Sequence, residues 1–280
     1  MNQQHLLTKF QRNTVAIASV CALVFAPAST LPTFAQSKAN TPTPYALAET
    51  ELSENVYVLY RIVERMARAN ELNQHPWRVV ISPEYEINAH ATEANLIVIY
   101  SGLLDQLAGD TSALACVVGH EMAHHAHRHL AIRSAEYTKE LEEINESNPA
   151  KREQRLTELN KRMGELNRKL ELDADASGYE YAVRAGFEPE GCLRSLDILS
   201  RLPGSGHSSK THPSVSERMR AIQALMVKHP AKELAVVGYQ RLRTTEPLTY
   251  YWSAKEKWLR VNSVRGGCFK SDLERVLTRQ

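Results

Sequence analysis

The sequence predicts an α+β fold that is mainly α-helical, with a small β-sheet and a projecting helical hairpin. Apolar residues recur at helical spacing over much of the chain, three short apolar runs read as strands, and a charged segment carries a narrow heptad stripe. The chain has 280 residues, of which 43% are hydrophobic and 24% charged. That is enough for one sizeable domain and excludes a disordered or collagen-like chain. Lys and Arg (34) nearly balance Asp and Glu (32), so no nucleic-acid partner is expected.

Residues 1–35 read as a secretory signal peptide: Lys9 and Arg12 precede an apolar run over 15–28, and Ala26-Pro27-Ala28 or Thr33-Phe34-Ala35 suits cleavage. The run is short for a membrane span, so the mature protein is expected in the periplasm or another extracytoplasmic compartment, with peripheral membrane association at most. Residues 36–48, polar and rich in proline, read as a linker, and 49–230 as the main domain. Helical spacing covers 50–72 through Leu52, Val56, Leu59, Ile62, Val63 and Met66. Residues 77–82 (WRVVIS), the stretch around Ile87 and residues 95–100 (NLIVIY) read as strands. Helix resumes near Leu103, and Asp110 or Thr111 caps a longer one to about Arg133.

Residues 134–170 form the arm. Tyr137, Leu141 and Ile144, then Leu156, Leu159, Met163, Leu166 and Leu170, follow steps of three and four among charges, on either side of a turn at Pro149. Two antiparallel helices are expected, packed on each other or projecting toward a partner. Helix continues to about Ala185 with Gly186 as C-cap, then over 189–202 and 213–228. Residues 231–280 read as a C-terminal extension, with strands at 234–239 and 248–252 and a short helix at 271–278.

The strongest chemical signal is His120-Glu121-Met122-Ala123-His124. On a helix the two histidines differ by about 40° in azimuth, so both rings reach one ion, with Glu121 beside them as base. Zinc suits neutral imidazoles, and a catalytic site takes three protein ligands with one position open to water. His125, His127 and His129 follow; His127 shares the face of His120 but is a poor third ligand, and a structural hydrogen-bonding role is expected for His129. Downstream, Glu171 and Asp175 share a helix face while Asp173 points elsewhere, so one carboxylate can bind zinc and the other orient a ligand histidine.

These residues carry a resemblance. The His120–His124 motif with Arg128-His129, then ELDADASGYEYAVRAGFEP at 171–189, then His212-Pro213 with Arg218, resemble the zinc metallopeptidase family of HtpX and the CAAX prenyl endopeptidases. Residues 88–104 resemble the strand that precedes the family's active-site helix, and the ordered blocks span about 50–228. The likeness is greatest to soluble, exported bacterial members. It implies a zincin-like fold and one Zn2+ per chain held by His120, His124 and Glu171, with Asp175 behind them and His212 near the metal. The arm and the residues His90 and Glu93 depart from the family pattern.

The reaction expected is peptide-bond hydrolysis, with Glu121 moving the proton and a substrate strand lying against 95–100. His212 either stabilises the oxyanion or acts as a fourth ligand, and Arg218 pairs with Asp175 or shapes the cleft. The expected substrates are unfolded, misfolded or mislocalised envelope proteins, with an envelope partner possible through 134–170. The alternatives are an envelope chaperone or assembly factor using the arm, with latent proteolysis, and, less well supported, a zinc-storage protein. Of the four cysteines, Cys116 is expected to pack in the core, and a Cys192–Cys268 disulfide tying the C-terminal segment to the main domain is one hypothesis that the sequence leaves open.

Overall fold

A helix-rich layer lies against one mixed sheet in the computed structural model, which describes residues 42–92, 96–107, 109–208 and 212–264, with Leu273 and Leu277. The expected signal peptide, Glu93, Cys268 and nearly all of the helix expected at 271–278 lie outside the described residues. Helix α1 (Pro44–Glu51) begins inside the stretch expected to be a linker. The threonine and proline read there as linker residues act as a helix start: Thr43 Oγ1 accepts from the Ala46 amide at 3.2 Å, and Pro44 opens the first turn. Helix α2 (Glu54–Ala69) buries Val56, Leu59, Ile62, Val63 and Met66 along the expected stripe.

Strands β1 (Trp77–Ser82), β2 (Ala89–Ala91) and β3 (Leu96–Tyr100) follow, then short α3 (Ser101–Leu107). Helix α4 (Thr111–Ala126) starts with Asp110 Oδ1 accepting from the Ala113 amide at 3.0 Å. It ends earlier than expected, because Arg128 takes a left-handed conformation with φ 58°. Helices α5 (His129–Asn145) and α6 (Arg152–Arg184) form the hairpin, turning through a 3-10 segment at Pro149–Lys151. Ile144, Leu159 and Met163 bury a satellite core separate from the main one, backed by Leu166. Tyr137 and Leu156 of the expected stripe stay exposed.

Helices α7 (Gly191–Ser200), α8 (Val215–Lys228) and α9 (Ala231–Thr244) come next, then strands β4 (Tyr250–Ser253) and β5 (Trp258–Val261). Helix α9 replaces the strand expected at 234–239: a short apolar run reads equally as strand or helix, and here Leu234 and Gly238, four apart, are the buried positions. The last two strands complete a five-stranded sheet of order β2-β3-β1-β5-β4, parallel only between β1 and β3. Buried Arg68 ties the segment after α9 to α2, donating to the carbonyls of Leu242 and Thr245 at 2.6 and 2.5 Å and to Glu64 at 2.9 Å. Strand β3 lies between β1 and β2, so it cannot receive a substrate strand; the edge on that side is β2.

Two constraints hold the catalytic layer. The first is the crossing of α4 and α6, where no side chain separates the backbones. A Cβ on Gly119 would stand 2.9 Å from the Gly178 carbonyl oxygen, and one on Gly178 would stand 2.7 Å from the His120 amide nitrogen. The second is a disulfide between Cys116 of α4 and Cys192 of α7, with Cα atoms 5.1 Å apart. It overturns both cysteine expectations, since Cys116 is bonded rather than merely packed and Cys192 is not available to Cys268. The sequence carried no cue, because α4 and α7 lie 76 residues apart at these cysteines. In the loop-closure account, a ring of that length removes about 4 kcal/mol of entropy from the unfolded chain.

Two outcomes follow for stability and metal uptake. Replacing Cys192 by Ser should lower the thermal midpoint by several degrees, and dithiothreitol should lower the wild type similarly while leaving Cys192→Ser unmoved. Gly178→Ala should destabilise the chain by ~1–3 kcal/mol through overpacking. It should also weaken zinc uptake, measured by chelator competition, because the helix bearing Glu171 must back away from His120.

Candidate metal centre

Helix α4 carries His120 and His124 one turn apart, and α6 runs across it so that Glu171 and Asp175 face them. His120 Nε2 and His124 Nε2 stand 3.1 Å apart. Glu171 closes the triangle, with Oε1 3.4 Å from His124 Nε2 and Oε2 3.6 Å from His120 Nε2. Ligand atoms held tetrahedrally at about 2.0–2.1 Å from one zinc ion are themselves about 3.3–3.4 Å apart. The trio therefore fits zinc in both donor chemistry and spacing, and its three side chains are only 11 to 13% exposed.

Behind His120 the charges are arranged in series. Its Nδ1 stands 2.9 Å from Asp175 Oδ1. Arg218 of α8 grips the same carboxylate with two donors, Nε to Oδ2 at 2.7 Å and Nη2 to Oδ1 at 2.6 Å. Burial alone would raise the Asp175 carboxyl, but the Arg218 guanidinium outweighs it and holds the group at about 2. Asp175 is thus an ionised acceptor, His120 donates through Nδ1, and Nε2 is left bare toward the ion position. Burial would likewise lower the His120 pKa, but the contact with Asp175 raises it on balance. Burial also opposes ionisation of Glu171, and hydrogen bonds with His124 and His212 overcome it, keeping that carboxyl well below the usual range.

His212 lies just before α8 with its side chain 58% exposed, and its Nδ1 stands 2.7 Å from Glu171 Oε2. Glu121 is buried and lines the same cavity as His120, Glu171, Asp175 and His212. That cavity, about 350 Å3, has an apolar wall that includes Leu103, Val117, Leu196 and Ile222. The edge strand β2 lines an adjoining cleft together with Glu121, His124 and His212.

The neighbouring histidines go elsewhere. Burial lowers His125 to about 4, and its ring packs edge-on against Trp77. His127 and His129 converge on Asp173, their nitrogens 2.5 and 3.1 Å from its Oδ2. Burial also lowers the His129 pKa. Sequence reasoning passed over Gly119, Gly178 and the Cys116–Cys192 bond, and it left Asp173 without a task. One signal was available: glycine inside a helix costs about 1 kcal/mol against alanine, and Gly119 and Gly178 both lie inside the helices that bear the ligands.

The profile of Peptidase family M48 matches residues 55–226. The Arabidopsis thaliana protein named "Mitochondrial metalloendopeptidase OMA1" is 28% identical over 178 residues, which cover 59% of this chain and 35% of that protein. "Metalloprotease LoiP" of Escherichia coli (strain K12) is 25% identical over 175 residues, 57% of this chain and 67% of that protein. The chain therefore spans about a third of the plant relative's length and two thirds of the bacterial one's. The profile match runs from α2 into α8 and takes in every candidate ligand described above, so the chain belongs to peptidase family M48.

Proposed function

We propose that the chain is an exported zinc-dependent endopeptidase that hydrolyses extended segments of unfolded or mislocalised envelope polypeptides. The observation that carries the reaction class is the convergence of His120, His124 and Glu171 with Glu121 buried beside them. Bound zinc would supply Lewis acidity toward the scissile carbonyl and toward water. Glu121 takes a proton from the attacking water and passes it to the leaving amine. His212 steadies Glu171 through Nδ1, and a protonated ring would offer its other N–H to the developing oxyanion. Asp175 and Arg218 hold the His120 ring.

The substrate lies extended along the free edge of β2, adding a strand beside Ala89–Ala91. An apolar side chain next to the scissile bond fits the cavity walled by Leu103, Val117, Leu196 and Ile222. An extended strand is available only from unfolded or flexible segments, which supports the substrate class. Export is supported by the Cys116–Cys192 disulfide, a bond that persists in oxidising compartments. Among the described residues, no helix is long and apolar enough to cross a membrane.

One observation favours a partner as well. The α5–α6 hairpin holds its own small core and leaves Tyr137 of α5 and Leu156 of α6 exposed, apolar surface that a partner could cover.

Glu121→Gln should bind one zinc per chain with near-normal affinity and lose ~10^2- to 10^4-fold in cleavage of an unfolded protein, followed by mass spectrometry. If this variant supports envelope function fully in a strain lacking the protein, the chaperone reading replaces the peptidase. Substituting a short loop for residues 138–168 should leave zinc binding and short-peptide cleavage unchanged while abolishing co-purification with an envelope partner. Loss of peptide cleavage in that variant would instead make the arm part of the catalytic unit.

A further inference from the structure

The ring of His124 is set by a second chain of hydrogen bonds, in which another imidazole stands between the ligand and the carboxylate. His124 Nε2 faces the ion position, and its Nδ1 stands 3.1 Å from His129 Nδ1. Two neutral imidazoles share a single hydrogen across such a contact. If His129 donates it, His124 must carry its proton on Nε2, where zinc needs a lone pair. If His124 donates it, Nε2 is bare.

The far side of His129 decides between these. Its Nε2 stands 3.1 Å from Oδ2 of Asp173, a carboxylate oxygen that accepts from His127 Nδ1 as well. His129 therefore carries its hydrogen on Nε2, its Nδ1 is an acceptor, and His124 donates. The turn between α4 and α5 makes this possible: the left-handed Arg128, with φ 58°, brings His129 back beside His124, where it is only 4% exposed.

We infer that Asp173 and His129 are positioning residues that hold His124 in the zinc-binding tautomer, through the series Asp173–His129–His124. The inference rests on the zinc site proposed above and adds two residues to its support.

His127, His129 and Asp173 have the composition of a second ion site. The hydrogen-bond accounting argues against that use. His127 Nδ1 stands 2.5 Å from Asp173 Oδ2, and its Nε2 stands 3.3 Å from the Tyr181 hydroxyl and 3.4 Å from that of Ser177, so both ring nitrogens are engaged. An ion on His129 Nε2 would also move the hydrogen to His129 Nδ1 and reverse the bond to His124. A neutral His129 cannot serve a second ion and the catalytic ion together.

The test measures zinc stoichiometry and affinity by chelator competition on the full chain, with the wild type as the check that one zinc binds at all. His129→Leu and Asp173→Ala should each weaken zinc binding ~10- to 100-fold. His129→Asn sets an amide oxygen near the position of the lost Nδ1 and should restore affinity to within about threefold of wild type. The deciding variant is the double substitution. An amide acceptor has no tautomer to control, so adding Asp173→Ala to His129→Asn should cost nothing further. His127→Gln should leave affinity within about threefold of wild type. Equal losses from Asp173→Ala in both backgrounds, or no loss in either, would overturn the relay. So would a second bound zinc that disappears in His127→Gln. Failure of the wild type to bind zinc would instead remove the site on which the relay rests.

Discussion

Everything at the centre depends on how closely α6 approaches α4. Both candidate ligand histidines sit on α4, and the carboxylate that completes the trio sits on α6, so its reach is set by backbone separation at the crossing. Gly119 and Gly178 set that separation by removing the Cβ layer, which lets the Gly178 backbone lie against the backbone of residues 119–120. Glu171 lies two helical turns before Gly178, near enough to inherit the alignment. Helices interlocked through ordinary side chains stand 8–10 Å apart, a distance that Glu171 would have to bridge by distortion.

Around that crossing, charge is arranged in shells. Arg218 fixes Asp175, Asp175 fixes His120, and both carboxylates stay ionised although burial works against them. Arg218, Asp175 and Glu171 each have a partner of opposite sign or a hydrogen-bond donor, which is the condition for holding charge in a low-dielectric interior.

The scaffold behind these shells is closed by long-range ties. The Cys116–Cys192 bond clasps α7 to α4 beside the cavity. Arg68, buried on α2, gathers the end of α9 and the segment that leads to β4 and β5, so strands from the C-terminal part of the chain complete the sheet under the catalytic helices. A segment read from sequence as an extension supplies two strands of the sheet, and among the described residues the edge on the side of the metal centre is β2.

Much of the centre was legible because its chemistry is written in local spacing. His120 and His124 one turn apart with Glu121 between them, and Glu171 and Asp175 one turn apart downstream, point to a metal and to the faces that hold it, and helical periodicity gives the mainly helical class. What local spacing cannot encode is which distant segments meet. A short apolar run has no period of its own, so residues 234–239 read as strand although they form part of α9, and strand order is a tertiary property, so β3 reads as the substrate-facing strand although β2 lies outside it. Cys116 found Cys192 rather than remaining a packing residue, and Asp173, which points away from Glu171 on the helix, found His127 and His129 across the turn at Arg128. The amino-acid sequence determined the ligand types and the helices that carry them, since both follow from neighbours within a turn or two. The tertiary structure alone decided the helix separation, the disulfide partner, the sheet edge and the groups that stand behind His120 and His124, because each depends on contacts between residues far apart in the chain.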